Sequence, residues 1–161
     1  MILLDANSIY MQLIWIGCFI NLVPAGCPKI MKKTVLVVED EKLSRTIILA
    51  TLEANGFHCI PAVDGQEALN LIGEMTMPCD LILTDLRMPV LNGLELIKAI
   101  REGKASSKIN QDVPIVVLSA EEGEMVNSAL ELGISGYFIK KEPIDKLIPK
   151  LKQLLEAGQV P

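Results

Sequence analysis

The chain has 161 residues, half of them apolar, and twenty acidic against fifteen basic residues give a net charge of −5. This size and composition predict one globular domain with a sizeable core, and the acidic balance argues against a protein that binds nucleic acid through its phosphates. The four cysteines, at positions 18, 27, 59 and 79, lack the spacing of metal ligands and predict free thiols in a reducing cytoplasm.

The first thirty residues differ in composition from the rest of the chain. The stretch IYMQLIWIGCFINLV (residues 9–23) is apolar and uncharged, but it is short for a membrane span and lacks the basic start of a secretory signal. Met31 then opens MKKTVLVVEDE, a natural start for a cytoplasmic protein. We therefore predict that residues 1–30 are an N-terminal extension outside the fold, an artefact of start-site choice, and that the domain occupies residues 31–161. The alternative is a real membrane-associating arm.

From Thr34 onwards, short apolar runs alternate with amphipathic stretches. The first half predicts a buried strand at 34–38, a helix at 42–55, a strand at 58–63 and a helix at 64–75. Because Pro61 has no N–H to give to a sheet, we expect the strand at 58–63 to lie at an edge. Asp64 and Glu67 have capping-box spacing at the start of the helix that follows.

The second half continues the alternation. It predicts strands at 80–84, 113–119 and 135–140, helices at 91–102, 121–133 and 144–156, and a polar loop at 103–112. Strict alternation of strand and helix indicates an α/β fold with a five-stranded parallel sheet and helices on both faces, since each crossover between parallel strands is right-handed and needs the length of a helix.

Polar side chains follow four of the five predicted strands. Ligands of open α/β sheets bind beyond the carboxyl ends of the strands, so these residues are expected to meet there. They are Glu39 and Asp40 after the first strand, Asp85 after the third, Ser119 after the fourth and Lys140 after the fifth. Three carboxylates that share one site repel each other unless a positive charge intervenes. Mg²⁺ suits such a site because it takes one or two carboxylates, keeps waters and accepts a phosphoryl oxygen.

Each of these residues also has an ordinary structural interpretation. Asp40 could cap the following helix, Asp85 could shape a turn before Met88 and Pro89, and Ser119 has capping-box spacing to Glu122. Lys140 could be a surface lysine. Taken singly, Ser119 and Lys140 favour the structural interpretation, but the whole set at successive strand ends favours a shared site.

The motifs VLVVEDE, LTDLRMPVLNGLEL, VVLSA and GYFIK, in this order, resemble those of the receiver domain of two-component response regulators. The resemblance spans residues 32–157 and implies a flavodoxin-like (βα)5 fold with strand order 2-1-3-4-5. It also implies that Asp85 is the phosphoacceptor, a carboxylate nucleophile that attacks a phosphohistidine on a partner.

The same resemblance implies roles for the neighbouring residues. Glu39, Asp40 and Asp85, with the backbone carbonyl of Arg87, would hold Mg²⁺. Ser119 would be the hydroxyl that moves towards the phosphoryl group, and Lys140 would pair with that group. Tyr137 would be the aromatic switch residue that rotates inward, and Arg87 and Glu121 would flank the attacking water and tune hydrolysis.

Two positions depart from the family pattern. Glu39 stands where aspartate is commoner, but its longer side chain can still reach a metal ion. Lys141 stands where the family usually has proline in a cis peptide, and a cis bond before another residue costs about 3 kcal/mol or more. We therefore expect either a strained cis bond at 140–141 or a trans loop that shifts Lys140.

The leading functional prediction is a cytoplasmic, Mg²⁺-dependent phosphoacceptor switch rather than an enzyme, with phosphorylation and autodephosphorylation at Asp85 only. Its expected partners are a sensor histidine kinase or phosphotransfer protein and a downstream protein that contacts residues 121–156. No output module follows the last helix, so we expect no nucleic-acid partner, and no membrane contact unless residues 1–30 are real. A chemotaxis-like regulator, a phosphorelay intermediate and a phosphate sink all remain open. The alternative is a receiver-fold interaction domain that works without phosphorylation, which Lys141 would support.

Overall fold

A computed structural model describes residues 32–120 and 122–157. In this part of the chain five strands alternate with five α-helices, and a short 3₁₀ turn (Ile144–Lys146) precedes the last helix. Predictions about residues 1–30 and about Glu121 fall outside the described residues. The elements are β1 (Thr34–Val38), α1 (Lys42–Ala54), β2 (His58–Ala62), α2 (Gly65–Glu74), β3 (Leu81–Asp85), α3 (Gly93–Arg101), β4 (Ile115–Ser119), α4 (Glu124–Glu131), β5 (Gly136–Ile139) and α5 (Leu147–Ala157).

The five strands form one parallel sheet in the order β2-β1-β3-β4-β5, as predicted. The order reverses between β1 and β3, and this reversal opens a crevice at the carboxyl edge of the sheet. Every residue of β1, β3 and β4 is buried, which explains why these three strands read as continuous apolar runs rather than as alternating patterns.

Both faces of the sheet are covered, and each carries its own apolar core. One core packs α2, α3 and α4 against residues such as Leu36, Ile82 and Val117. The other packs α1 and α5 against residues such as Val37, Leu83 and Phe138. Successive residues of one strand thus belong to opposite cores, and the three central strands are packed on both faces up to their last residues.

Strand β2 lies at the edge of the sheet, where its proline predicted it. The N–H of His58 donates to the carbonyl of Lys33, and the N–H of Glu39 donates to the carbonyl of Ala62. Because backbone groups of a strand alternate in direction, His58 and Ala62 face β1 and Pro61 faces away from it. The ring nitrogen of Pro61 therefore lies on the open side of the sheet, where no hydrogen bond is lost.

Helices α1, α2 and α3 start at residues whose side chains accept hydrogen bonds from the first turn, namely Glu41, Asp64 and Asn92. Helix α4 is different, because Gly123 precedes it and offers no side-chain cap. It is also shorter than the predicted 121–133. Among the described residues, no helix is both long enough and apolar enough to cross a bilayer.

Candidate functional site

The predicted site residues lie together at the carboxyl edge of the sheet. Glu39 and Asp40 directly follow β1, Asp85 and Ser119 are the last residues of β3 and β4, and Lys140 directly follows β5. The register aligns these ends, since Val38 pairs with Thr84, Asp85 with Leu118, and Ser119 with Ile139. Parallel strands of matched length thus bring residues more than a hundred positions apart in the sequence into one crevice.

Three carboxylates form the centre of this site. Oxygen atoms of Glu39, Asp40 and Asp85 all lie within 4.8 Å of one another. Glu39 is fully buried, Asp85 is 8% exposed, and Asp40 is exposed. Burial raises the pKa of Glu39, the nearby charge of Asp85 adds to this rise, and Lys140 opposes it. Burial is therefore the main penalty on the charged form of Glu39, and Lys140 offsets part of it.

Lys140 reaches across the crevice to two of these acids. Its Nζ donates a hydrogen bond to Asp85 Oδ2 and another to Glu39 Oε1 at 2.9 Å. Nζ also lies 2.7 Å from Glu39 Oε2, but the angles there do not make a hydrogen bond, and this buried oxygen has no hydrogen-bond partner among the described residues. Burial lowers the pKa of Lys140, but the hydrogen bonds and charges of Asp85 and Glu39 outweigh burial and raise it overall.

A divalent cation fits this donor set. The ligand atoms are all oxygens, which hard cations prefer, and Glu39 Oε2 is buried with no hydrogen bond among the described residues, although it forms an ion pair with Lys140. The carbonyl of Arg87 belongs to the same loop after β3, in which the Arg87 N–H donates to Asp85 Oδ1 at 3.0 Å. The residues present thus suit a magnesium ion in both charge and atom type.

The loop after β5 resolves the expected conflict at Lys141. No cis peptide bond occurs among the described residues, so the 140–141 bond is trans. Lys140 nevertheless reaches Asp85 and Glu39, and its backbone N–H donates to the carbonyl of Ser119 at 2.7 Å. The trans loop therefore does not move Lys140 away from the two acids, and the expected displacement was wrong.

The ordinary structural roles considered for these residues hold in part. Asp40 does not cap α1, since Glu41 accepts the N–H groups of Leu43 and Ser44 instead. Ser119 does not cap α4, which begins after Gly123. Asp85 does shape a turn through its bond to Arg87, and its other oxygen remains available to Lys140.

Two positioning residues were missed by the sequence analysis. Arg45 donates to the carbonyls of Glu39 (2.6 Å) and Asp40 (3.2 Å) and so holds the loop that presents both acids. Gly93 packs so tightly that a Cβ there would lie 2.1 Å from the carbonyl oxygen of Asp85. The glycine of LNGLEL was a signal for such a close approach, whereas no local pattern marks Arg45.

A pocket of about 280 Å³ opens beside Asp85. Arg87, Ser119 and the start of α4 line it, and Ser119 is 8% exposed. The pocket gives a phosphoryl group room next to both the carboxylate of Asp85 and the hydroxyl of Ser119. It also joins the acid cluster to the loop before α4.

Tyr137 lies at the outer side of this region. It occupies β5 next to Val117, and its ring is half-buried against the core that includes α4. Its hydroxyl donates to Glu122 Oε1 at 3.1 Å, and this bond to a carboxylate raises the pKa of Tyr137. The hydroxyl end of the ring is therefore held at Glu122, in the loop before α4.

Comparison with known proteins agrees with this arrangement. Residues 35–152 match the family described as response regulator receiver domain. The chain is 34% identical over 131 residues to the alkaline phosphatase synthesis transcriptional regulatory protein PhoP of Bacillus subtilis, and the alignment covers 81% of this chain and 51% of PhoP. It is 34% identical over 125 residues to the phosphate regulon transcriptional regulatory protein PhoB of Pseudomonas aeruginosa, and the alignment covers 76% of this chain and 52% of PhoB. The chain thus spans about half the length of these curated relatives.

Solved structures show the same fold. The chemotaxis response regulator CheY4 of Vibrio cholerae superposes with a TM-score of 0.67 at 28% identity, over 77% of this chain and 99% of CheY4. The receiver domain of the Francisella response regulator 1452 superposes with a TM-score of 0.68 at 32% identity, over 80% of this chain and 100% of that domain.

Proposed function

Since the chain belongs to the response regulator receiver domain family, we propose that it is a phosphoacceptor switch of a two-component system with Asp85 as the phosphorylated residue. The observation that carries the proposal is the meeting of Glu39, Asp40 and Asp85 within 4.8 Å, with Lys140 across from them. In this setting the Asp85 carboxylate can act as a nucleophile, and the positive charge of Lys140 lies where the negative charge of an added phosphoryl group would need to be compensated.

The transfer step needs little covalent help from the protein. A carboxylate oxygen of Asp85 attacks the phosphorus of a phosphohistidine, the P–N bond breaks, and the imidazole leaves with its electron pair and takes up a proton. The product is an acyl phosphate, which water later hydrolyses. The donor is a sensor histidine kinase or a phosphotransfer protein, and the chain's own activity is limited to accepting and losing this group.

Charge compensation is the main task of the surrounding residues. Glu39, Asp40, Asp85 and the carbonyl of Arg87 would hold Mg²⁺, which supplies charge neutralisation at the phosphoryl oxygens. Lys140 already contacts Asp85 Oδ2 and would follow the new anionic oxygens. Ser119, in the pocket beside Asp85, would donate its hydroxyl to the same group. Arg87 and Glu121 would tune the hydrolysis rate.

The conformational response would follow from the recruitment of Ser119. Movement of its hydroxyl towards the phosphoryl group vacates space at the loop before α4, and Tyr137 rotates inward. The surface formed by residues 121–156 would then change shape and signal by contact with a downstream protein in the cytoplasm. PhoP and PhoB are named as transcriptional regulators, which makes a partner in transcription one candidate for that protein.

A domain that only keeps the fold and works without phosphorylation is the alternative. Its main support was the replacement of proline by Lys141. That support is weak, because Lys140 contacts Asp85 and Glu39 across a trans peptide.

The test is incubation of the full chain with Mg²⁺ and acetyl phosphate, followed by intact mass measurement. We expect one added phosphoryl group in the parent protein and none in Asp85→Asn. Asp112→Asn is the matched control, because Asp112 lies in the loop before β4, at the opposite end of the sheet. This variant should form the same phosphoryl adduct as the parent protein. An adduct that persists in Asp85→Asn, or no adduct in the folded parent protein, would refute the proposal.

A further inference from the structure

A second network surrounds the predicted switch residue on its outer side. The carboxylate of Glu122 accepts the Tyr137 hydroxyl at 3.1 Å. Lys150 of α5 places its Nζ 5.4 Å from the centre of the Tyr137 ring and donates a hydrogen bond to the Tyr137 carbonyl. The aromatic residue is thus held from two sides, by the loop before α4 and by α5.

The geometry points to a latch: we propose that Glu122 and Lys150 are positioning residues that hold Tyr137 in the orientation seen in the structure and so set how readily the unphosphorylated protein switches. This inference rests on the proposed function, in which Tyr137 must turn inward. A phenol bound to a carboxylate makes a charge-assisted hydrogen bond, and an ammonium over a ring face is attracted to it. Rotation of the ring out of this position would break the hydrogen bond to Glu122 and the contact with the Lys150 ammonium.

The register shows why the latch can influence the site. Val117 pairs with Tyr137, and Ser119 pairs with Ile139, so Tyr137 and Ser119 lie two positions apart on the same face of adjacent strands. Ser119 and Glu122 both line the pocket beside Asp85. A single short segment therefore carries the hydroxyl predicted to move towards the phosphoryl group and the carboxylate that holds the tyrosine.

A glycine lies between Glu122 and the helix that follows. Gly123 separates Glu122 from α4, and the start of that helix has no side-chain cap. A Cβ at Gly123 would meet nothing within 4 Å. The hydrogen bond from the Tyr137 hydroxyl to Glu122 connects this loop to β5.

The first test is the initial rate of phosphorylation of the full chain by acetyl phosphate with Mg²⁺. Loss of one such bond should shift the balance towards the inward state, so Glu122→Ala should react about three- to tenfold faster. Tyr137→Phe, which loses only the hydroxyl, should show a similar gain. The double variant should be no faster than either single one, because both remove the same hydrogen bond.

Glu124→Ala is the matched control for charge. It removes one acidic group from the first turn of α4 and leaves the bond between Glu122 and Tyr137 in place. An equal gain in Glu124→Ala, or gains that add in the double variant, would overturn the latch. Unchanged rates in both single variants would overturn it as well.

A second measurement keeps the latch testable if Asp85 accepts no phosphoryl group. The chain has two tyrosines, at positions 10 and 137, so tyrosine labelled with carbon-13 gives a simple NMR spectrum that Tyr137→Phe assigns. Without any phosphodonor, Glu122→Ala should shift the ring signal of Tyr137. A signal that stays in place refutes the latch, whereas a missing phosphoryl adduct refutes only the proposed function.

Discussion

Replacement of Lys140 by methionine tests whether the charge balance described above determines stability. The substitution keeps most of the aliphatic stem and removes the ammonium that contacts Glu39 and Asp85. Removing one partner of a buried ion pair costs about 3–5 kcal/mol, because the remaining charge is left without compensation. The Lys140 side chain is 27% exposed and water can enter in its place, so we expect a loss of about 2 kcal/mol at pH 8.

The loss should depend on pH. Burial raises the pKa of Glu39 in the folded protein above its value in the unfolded chain. The stability that comes from burying the neutral side chain is therefore fully present below the unfolded pKa and is lost as the pH rises through the folded pKa. Lys140 opposes this rise, and without it the folded pKa moves further up. The deficit of Lys140→Met should therefore be less than about 1 kcal/mol at pH 5 and grow towards pH 8. Added Mg²⁺ should reduce it at pH 8.

Urea unfolding followed by circular dichroism, at both pH values and with either EDTA or Mg²⁺, measures these free energies. Lys146→Met is the control, since this lysine is 63% exposed and its 3.8 Å pair with Glu142 should contribute about 0.5 kcal/mol or less. A deficit of the same size at pH 5 and pH 8, unaffected by Mg²⁺, would show that Lys140 acts through packing and not through its charge.

Three further predictions concern the surroundings of the site. Gly93→Ala should lower the free energy of unfolding by more than about 2 kcal/mol, because its Cβ would collide with the Asp85 carbonyl. Gly73→Ala, whose Cβ would meet nothing within 4 Å, should raise the free energy of unfolding by about 0.5 kcal/mol. Urea unfolding compares the two variants, and equal effects would contradict the close packing at Gly93. Val90 is 81% exposed with φ of 65°, so Val90→Gly should raise the free energy of unfolding by about 1 kcal/mol, and a loss would show that its backbone is not strained. Burial raises the pKa of the Cys79 thiol to about 11, so iodoacetamide should modify it slowly at pH 8 and about tenfold faster per pH unit up to pH 10, as followed by peptide mass mapping; a rate that levels off below pH 9 would contradict this.

The sequence predicted the sheet because its strands have strong local signatures. The runs at β1, β3 and β4 are apolar on both faces, and Pro61 identified β2 as an edge strand. The boundaries were less accurate. Asp80 was placed inside a strand, but it precedes β3 and its carboxylate pairs with Lys33 and the N–H of Thr34. This contact spans more than forty residues and has no local signal.

The site was predictable where topology alone decides it. Strand order and strand ends suffice to bring Glu39, Asp40 and Asp85 together. The strand-end argument also placed Lys140 at the site, but it could not decide how the loop runs without the family's proline, where the 140–141 bond is trans. Contacts between distant side chains, such as those of Tyr137 with Glu122 and Lys150, depend on packing that no spacing rule encodes.

The nitrogen of Pro61 faces the open edge of the sheet, and this bears on whether copies of the protein aggregate at high concentration. An open sheet invites a strand of another molecule to add to its border, which is a route to aggregation. On the β2 border an incoming strand would find no donor at Pro61, and the opposite border is formed by β5, which is only four residues long. Among the described residues neither border offers a long, uninterrupted template, so the sheet gives a strand of another copy few backbone groups with which to pair.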